Sequence, residues 1–161
     1  MFLVSACLLG LSTKYDCGNC VCEPLLEWVK KRGTDKIIPI CPEQMGGLPT
    51  PREPMEISEG DGSIILAGSG KIITSSGKDV TDNLIRGAEV AAQISEIFPV
   101  KWALLKDHSP SCGVTKIYDG SFSGQLKDGV GVTTAKLISM GIPCRSDLEP
   151  FLEILEEMEI R

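Results

Sequence analysis

Met1-Phe2-Leu3-Val4-Ser5-Ala6-Cys7 opens the chain, and its reading decides the fold. Residues 1–6 carry no charge and show no polar–apolar alternation, the mark of a short strand buried on both faces. Ile37-Ile38-Pro39-Ile40 repeats that character and stops at Cys41-Pro42, and Trp102-Ala103-Leu104-Leu105 repeats it again. Residues 142–144 read as a last strand. Helical patterns lie between these runs. Residues 25–32 read as a helix capped by Gly33. Gly77-Lys78-Asp79-Val80-Thr81 opens a long helix to Phe98, with Val80, Leu84, Ala88, Ala91 and Ser95 on one face and Pro99 as its stop. Residues 131–140 form another, ended by Gly141. Leu148, Phe151, Leu152, Leu155 and Met158 give a final helix its apolar face. Residues 43–59 read as loop, and residues 63–66 and 71–74 as a hairpin around Ala67-Gly68-Ser69-Gly70. Residues 108–113 and 118–128 read as two further loops. Apolar strands alternating with helices define an α/β fold. We expect a single domain over residues 1–161, with a doubly wound, mostly parallel sheet and helices on both faces, Rossmann-like or flavodoxin-like. Ligands in such sheets bind outside the carboxyl ends of the strands, at the topological switch point.

Composition agrees with one globular unit: 161 residues, 42% hydrophobic and 24% charged. The net charge of −6 leaves no electrostatic footprint for long nucleic acid, though a small anionic ligand remains compatible. No apolar run reaches the roughly 18 residues of a membrane span. Val4-Ser5-Ala6-Cys7 resembles a lipoprotein cleavage site, but no Lys or Arg precedes it and the apolar stretch before it is too short for a signal. A cytoplasmic protein is expected. The oligomeric state is not legible. Seven cysteines form an odd set, so no complete disulfide framework is available. In a reducing compartment such cysteines point to metal binding or thiol chemistry.

Three of them share a topological position. Cys7, Cys41 and Cys112 each fall just past the carboxyl end of a separate apolar strand. If those strands are parallel neighbours, the three thiols meet in one crevice. The plain alternative is that each is a small buried hydrophobe. Three thiolates suit a soft metal centre. Structural zinc asks for four ligands, and iron–sulfur clusters ordinarily take four cysteines. Three leave one iron with an open position, able to act as a Lewis acid. Cys17-Gly18-Asn19-Cys20-Val21-Cys22 is a weak zinc signal or a redox pair, lacking a second Cys pair or a nearby His. Cys144 reads as packing. Two other functions stay open: an iron–sulfur or metal carrier, and a thiol redox protein using Cys17 and Cys20.

Ser5-Ala6-Cys7-Leu8-Leu9-Gly10, Cys41-Pro42-Glu43, Gly46-Gly47-Leu48, Pro51-Arg52, Gly77-Lys78-Asp79-Val80-Thr81, Ser109-Pro110-Ser111-Cys112-Gly113 and Tyr118-Asp119-Gly120-Ser121-Phe122 occur in that order. Together they resemble the thiouracil desulfidase family over nearly the whole chain. The resemblance implies a cytoplasmic enzyme that removes sulfur from thiouracil-type bases or their nucleotides without net redox change. It implies a 4Fe-4S cluster on three cysteines, which map onto Cys7, Cys41 and Cys112. The partner expected is a small thiolated pyrimidine, with no membrane and no long nucleic acid. The resemblance is to the single-domain form, without the second domain some members use on tRNA, so a free base or mononucleotide is the expected substrate.

Within that reading Glu43 is the candidate general base, its pKa raised by apolar surroundings. Its plainer role is an ion pair with Arg52. Ser109, the second candidate catalytic residue, and Ser111, a candidate substrate contact, flank Cys112. Their hydroxyls suit the pyrimidine edge or a cluster sulfide, or simple turn formation around Pro110. His108, the only histidine, reads as structural or surface, with proton transfer as the alternative. Lys106 reads as a solvated strand end. Lys78, Asp79 and Thr81, at a helix N-terminus, are candidates for a substrate phosphate, with helix capping as the competing use.

Overall fold

A computed structural model describes residues 1–32 and 34–159; Gly33 and the side chain of Met158 lie outside the described residues. In chain order the elements are β1 (Phe2–Ser5), α1 (Glu23–Arg32), β2 (Ile37–Ile40), α2 (Pro42–Met45), β3 (Met55–Ile57), α3 (Gly62–Leu66), β4 (Ile72–Thr74) and α4 (Thr81–Ile97). They continue with β5 (Trp102–Leu105), β6 (Lys116–Tyr118), β7 (Leu126–Asp128), α5 (Val132–Ser139), β8 (Cys144–Ser146) and α6 (Phe151–Glu159). A short 3-10 turn, Ala6–Leu9, follows β1 directly.

Four strands form the central sheet in the order β2-β1-β5-β8, every pairing parallel. Phe2 faces Ile37 on one side and Trp102 on the other. Successive side chains of a strand point to opposite faces, and both faces here are covered. Val4, Trp102 and Leu104 pack with Leu25 and Trp28 of α1 and Phe151 and Ile154 of α6. Leu3, Ala103 and Leu105 pack the other way, with Ile40, Ala91 of α4 and Leu137 of α5. Burial on both faces explains why the strands read as continuous apolar runs. A leucine buried in this way contributes about 1.5–3 kcal/mol. The expected fold class stands.

A smaller layer lies beside the sheet. β3 and β4 pair antiparallel, as do β6 and β7. Met55, Ile57, Ile72, Val80, Leu84 and Ile117 form its core. The sequence reading needs correction here. Residues 63–66 do not form a hairpin strand: they lie in α3, where the Asp61 carboxylate caps the Ser63 amide at 2.9 Å. The partner of β4 is β3, from a stretch read as loop. Short apolar runs do not distinguish strand from helix by periodicity, and the cap settles it. The expected loop over residues 118–128 contains the turn of the β6–β7 hairpin. The last strand begins at Cys144 rather than ending there, since Pro143 has no amide to give a ladder. Leu148 and Leu152 are exposed; Phe151, Ile154 and Leu155 form the buried face of α6.

One contact fixes the ground beneath the site. α2, a single turn, lies backbone against backbone on α4. A Cβ at Gly87 would clash with the Pro42 carbonyl, so only glycine admits the approach. Asn83 of α4 adds a hydrogen bond from Nδ2 to the Gly46 carbonyl at 2.9 Å. Cys41 and Glu43, at the start of α2, are thereby held on a rigid support.

Candidate active site

The chain leaves β1 for β2 on one side and later reaches β5 on the other, so the strand order reverses between β1 and β5. A crevice opens at such a point, outside the carboxyl ends. A cavity of about 500 Å3 lies there, and Cys7, Cys41 and Cys112 all line it. Cys7 sits in the 3-10 turn after β1, Cys41 directly before α2, and Cys112 in the loop after β5. All seven cysteines are free thiols. Burial pushes the Cys7 thiol up to about 12, with smaller contributions from Cys20 and Cys41. Burial raises Cys112 as well, against a hydrogen bond with Ser5, while Glu43, Cys41 and Cys7 add to the rise. The three thiols are thus close enough to influence one another. Cys41 Sγ donates to the Thr13 carbonyl at 3.7 Å. Among the described residues no three His, Cys, Asp or Glu side chains converge on a single metal ion.

The loop carrying Cys112 is tied to the sheet by Asp107, which is 2% exposed. Its Oδ1 accepts from the amides of His108, Val114, Thr115 and Lys116 at 2.9, 2.8, 3.1 and 3.4 Å. Its Oδ2 accepts from Thr115 Oγ1 at 2.5 Å and Ser146 Oγ at 2.8 Å. Burial alone would raise its pKa, but these donors outweigh it and hold the carboxyl far below the usual range. The sequence reading passed over Asp107; its position immediately after β5 was the only available signal.

Glu43 lines the cavity beside Cys41. Arg52 donates to Glu43 Oε2 through Nε and Nη2, both at 2.6 Å. The guanidinium is fixed in turn by Thr50 Oγ1 at 2.8 Å and the Thr13 carbonyl at 2.9 Å. The surroundings of Glu43 are therefore cationic rather than apolar, because Pro51-Arg52 folds back onto α2. The other oxygen, Oε1, accepts from Ser109 Oγ at 3.2 Å. Ser109 Oγ itself accepts from the amides of Ser111 and Cys112 at 3.0 and 3.1 Å. Those two amides orient its hydroxyl proton toward the carboxylate.

Other expected residues lie elsewhere. Ser111 is fully buried, and its hydroxyl pairs with Thr133 Oγ1 at 3.0 Å. It does not line the cavity. Lys78, Asp79 and Thr81 do not line it either. Asp79 Oδ1 takes the amide of Thr81 at 3.0 Å and its hydroxyl at 2.6 Å, and Thr81 Oγ1 accepts from the Ile72 amide at 2.9 Å. Lys71 pairs with the other Asp79 oxygen at 3.2 Å. The Asp79 and Thr81 side chains thus build the turn that leads into α4, whose N-cap residue is Val80. Lys106 is not a solvated strand end: it pairs with Asp147 at 3.0 Å and borders the cavity. His108 also borders the cavity, edge-on to Tyr118, with left-handed backbone (φ 69°). Such a conformation costs a non-glycine residue about 1–3 kcal/mol. Cys17 is exposed and Cys22 packs at the edge of the α1 core, whereas Cys20 faces the cavity. Cys144 is half-buried against the core, as expected of a packing residue.

A parallel α/β sheet with thiols, a carboxylate and a hydroxyl gathered at its switch point defines a class of site built for soft-metal chemistry on a small molecule. The chain matches the 2-thiouracil desulfurase family over residues 2–149 and belongs to it. It is 40% identical over 149 residues to the uncharacterised protein YbbK of Bacillus subtilis (strain 168), covering 92% of this chain and 97% of that one. Among solved structures it is similar to the 4Fe-4S-dependent thiouracil desulfidase TudS, with 37% identity and a TM-score of 0.81 over 99% of this chain and 95% of that one.

Proposed function

We propose that this protein is a thiouracil desulfidase that replaces the sulfur of a thiolated pyrimidine with oxygen at a 4Fe-4S cluster held by Cys7, Cys41 and Cys112. The reading rests on one observation above the others: thiols from the ends of three adjacent parallel strands share a cavity with the Glu43–Ser109 pair. The donor set fits the group. Cysteine thiolates are the ordinary ligands of such clusters, and each of three would take a separate iron, so they need not converge on one ion. When bound, the cluster supplies an iron with an open position that polarises the substrate's carbon–sulfur bond.

The protein's own residues supply water activation. Arg52 holds the Oε2 side of Glu43 in an ion pair at 2.6 Å, which leaves Oε1 as the oxygen for a general base. That oxygen faces the cavity and takes a proton from water as the new carbon–oxygen bond forms. The carbon–sulfur bond then breaks: Glu43 returns its proton to the departing sulfur, which leaves as hydrosulfide, and the proton of the new hydroxyl passes to solvent as the carbonyl forms. Ser109 Oγ–H, aimed at Oε1, fixes the carboxylate rotamer for that exchange. No oxidant or reductant enters the balance.

The test is sulfide release by anaerobically reconstituted protein from 2-thiouracil, 4-thiouracil and their mononucleotides. About four irons per chain and equal yields of sulfide and uracil, with no added reductant, are expected. Sulfide release from none of the panel, or only with stoichiometric reductant, overturns the proposal. A metal carrier would bind iron without turnover. A Cys17–Cys20 redox protein would work without metal.

A further inference from the structure

We infer that Phe122 is the surface on which the substrate's pyrimidine ring stacks, and that Glu56 is the positioning residue that holds it there. The inference rests on the desulfuration reading for the identity of the substrate and on the structure for the surface.

Phe122 borders the cavity, yet 41% of it remains exposed. A large apolar ring left partly uncovered on the lining of the cavity is the feature to explain. Its backbone is left-handed (φ 56°), a conformation that side chains with a Cβ rarely adopt. The source of that conformation is specific. Glu56 on β3 is 8% exposed, and its Oε2 accepts from the amides of Gly120 and Phe122 at 2.9 and 3.0 Å. Gly120 lets the loop reach it: at φ 95°, a Cβ there would stand 2.6 Å from the Ile57 carbonyl. Asp119 Oδ1 fixes the intervening residue by accepting the Ser121 amide at 2.9 Å. A buried carboxylate therefore holds an aromatic residue in an unfavourable conformation at the cavity's edge. Such strain persists where the surroundings over-determine it, and it gathers at ligand sites.

The cavity's chemistry leaves a gap that Phe122 fills. Ser109, Glu43, Arg52 and Lys106 offer hydrogen bonds and charge but no flat apolar face. A pyrimidine presents both polar edges and a π-face. Tyr118 stands edge-on to His108, and Tyr15 lies beneath Lys14 Nζ. Among the described residues Phe122, unlike Tyr118 and Tyr15, has no aromatic or cation partner.

The experiment uses cluster-loaded protein and two readouts: KM against kcat for 2-thiouracil, and equilibrium binding of uracil. Phe122→Ala is expected to raise KM and the uracil Kd about tenfold while kcat stays within about twofold. Phe122→Trp keeps both within about twofold, and uracil quenches its new indole fluorescence. Glu56→Ala raises KM as Phe122→Ala does, and Glu56→Gln, which keeps an acceptor oxygen, recovers most of the loss. Unchanged KM and Kd in Phe122→Ala, or an unquenched Phe122→Trp, overturns the inference; the tryptophan variant decides the matter should Phe122→Ala fold poorly. If native protein releases no sulfide yet Phe122→Ala weakens uracil binding, the stacking surface stands and the desulfuration reading falls.

Discussion

Two carboxylates meet the same cavity and are put to opposite uses. Asp107 is sealed: both oxygens are saturated by four amides and two hydroxyls from the loop after β5, from β6 and from β8. Glu43 is half-committed: Arg52 occupies Oε2, while Oε1 has only Ser109 and the cavity. Both line the cavity that the candidate cluster cysteines line. The difference is the spare lone pair. A carboxylate whose acceptors are all filled by backbone amides orders the loop around it. One with an acceptor turned toward a cavity can exchange a proton with what enters. Acidity alone does not separate the two roles; the distribution of donors does.

The sharpest way to break this contrast is Glu43→Gln. The amide keeps the volume and its oxygen can still accept from Arg52, but its nitrogen accepts nothing from Ser109 and cannot take a proton from water. We expect kcat to fall about a hundredfold to ten-thousandfold, the range for a lost general base, with the iron content unchanged. Turnover near the native value would remove Glu43 from the chemistry and leave it a structural ion pair with Arg52.

Asp107→Asn attacks the other side. Its amide nitrogen cannot accept, so buried donors of the loop lose their partner at a cost of about 3 kcal/mol in total. The sign of the pH dependence follows from the lowered pKa. A carboxyl held below its unfolded value stabilises the fold above that value, about 3.9, and the stabilisation fades as pH falls below it. The gap in melting temperature between native and variant is therefore largest near neutrality and narrows below about pH 4. A gap that stays constant down to pH 3 would show that the Asp107 charge is not what holds the loop.

What could be read from sequence divides along the same line. The crevice was legible because Cys7, Cys41 and Cys112 occupy equivalent places after apolar strands, and parallel pairing brings equivalent places together. Glu43 was legible through its place next to Cys41, though not its cationic setting, which depends on Arg52 returning to α2. Asp107 was not legible, since its donors come from residues as far along the chain as Ser146. Phe122 was visible as part of a motif, but its pose depends on Glu56, far away in sequence. Lys78, Asp79 and Thr81, expected at a substrate phosphate, lie outside the cavity lining. A helix start that binds an anion and one that caps itself use the same residue types, and only distance from the cavity separates them. Short elements such as α3 and β3 escaped because a run of three to five residues carries too little periodicity.

The smallest expected effect concerns Cys20, and it tests whether the cysteine site has three members or four. Cys20 lines the cavity, its amide donates to the Cys7 carbonyl at 3.0 Å, and it contributes to raising the Cys7 thiol. Yet it comes from the loop between β1 and α1 rather than from a strand end. It thus lacks the rigid support that α2 gives Cys41 and Asp107 gives the Cys112 loop. A ligand holding a cluster in place draws on such support. Cys20→Ser is therefore expected to keep the iron count, to hold kcat within about twofold, and to shift stability by no more than about 0.5 kcal/mol. Cys7→Ser, measured alongside, is expected to lose the visible absorbance of the cluster. If Cys20→Ser loses iron as Cys7→Ser does, Cys20 is a fourth ligand. No iron is then left open for the substrate's sulfur, and Glu43 would have nothing polarised on which to act.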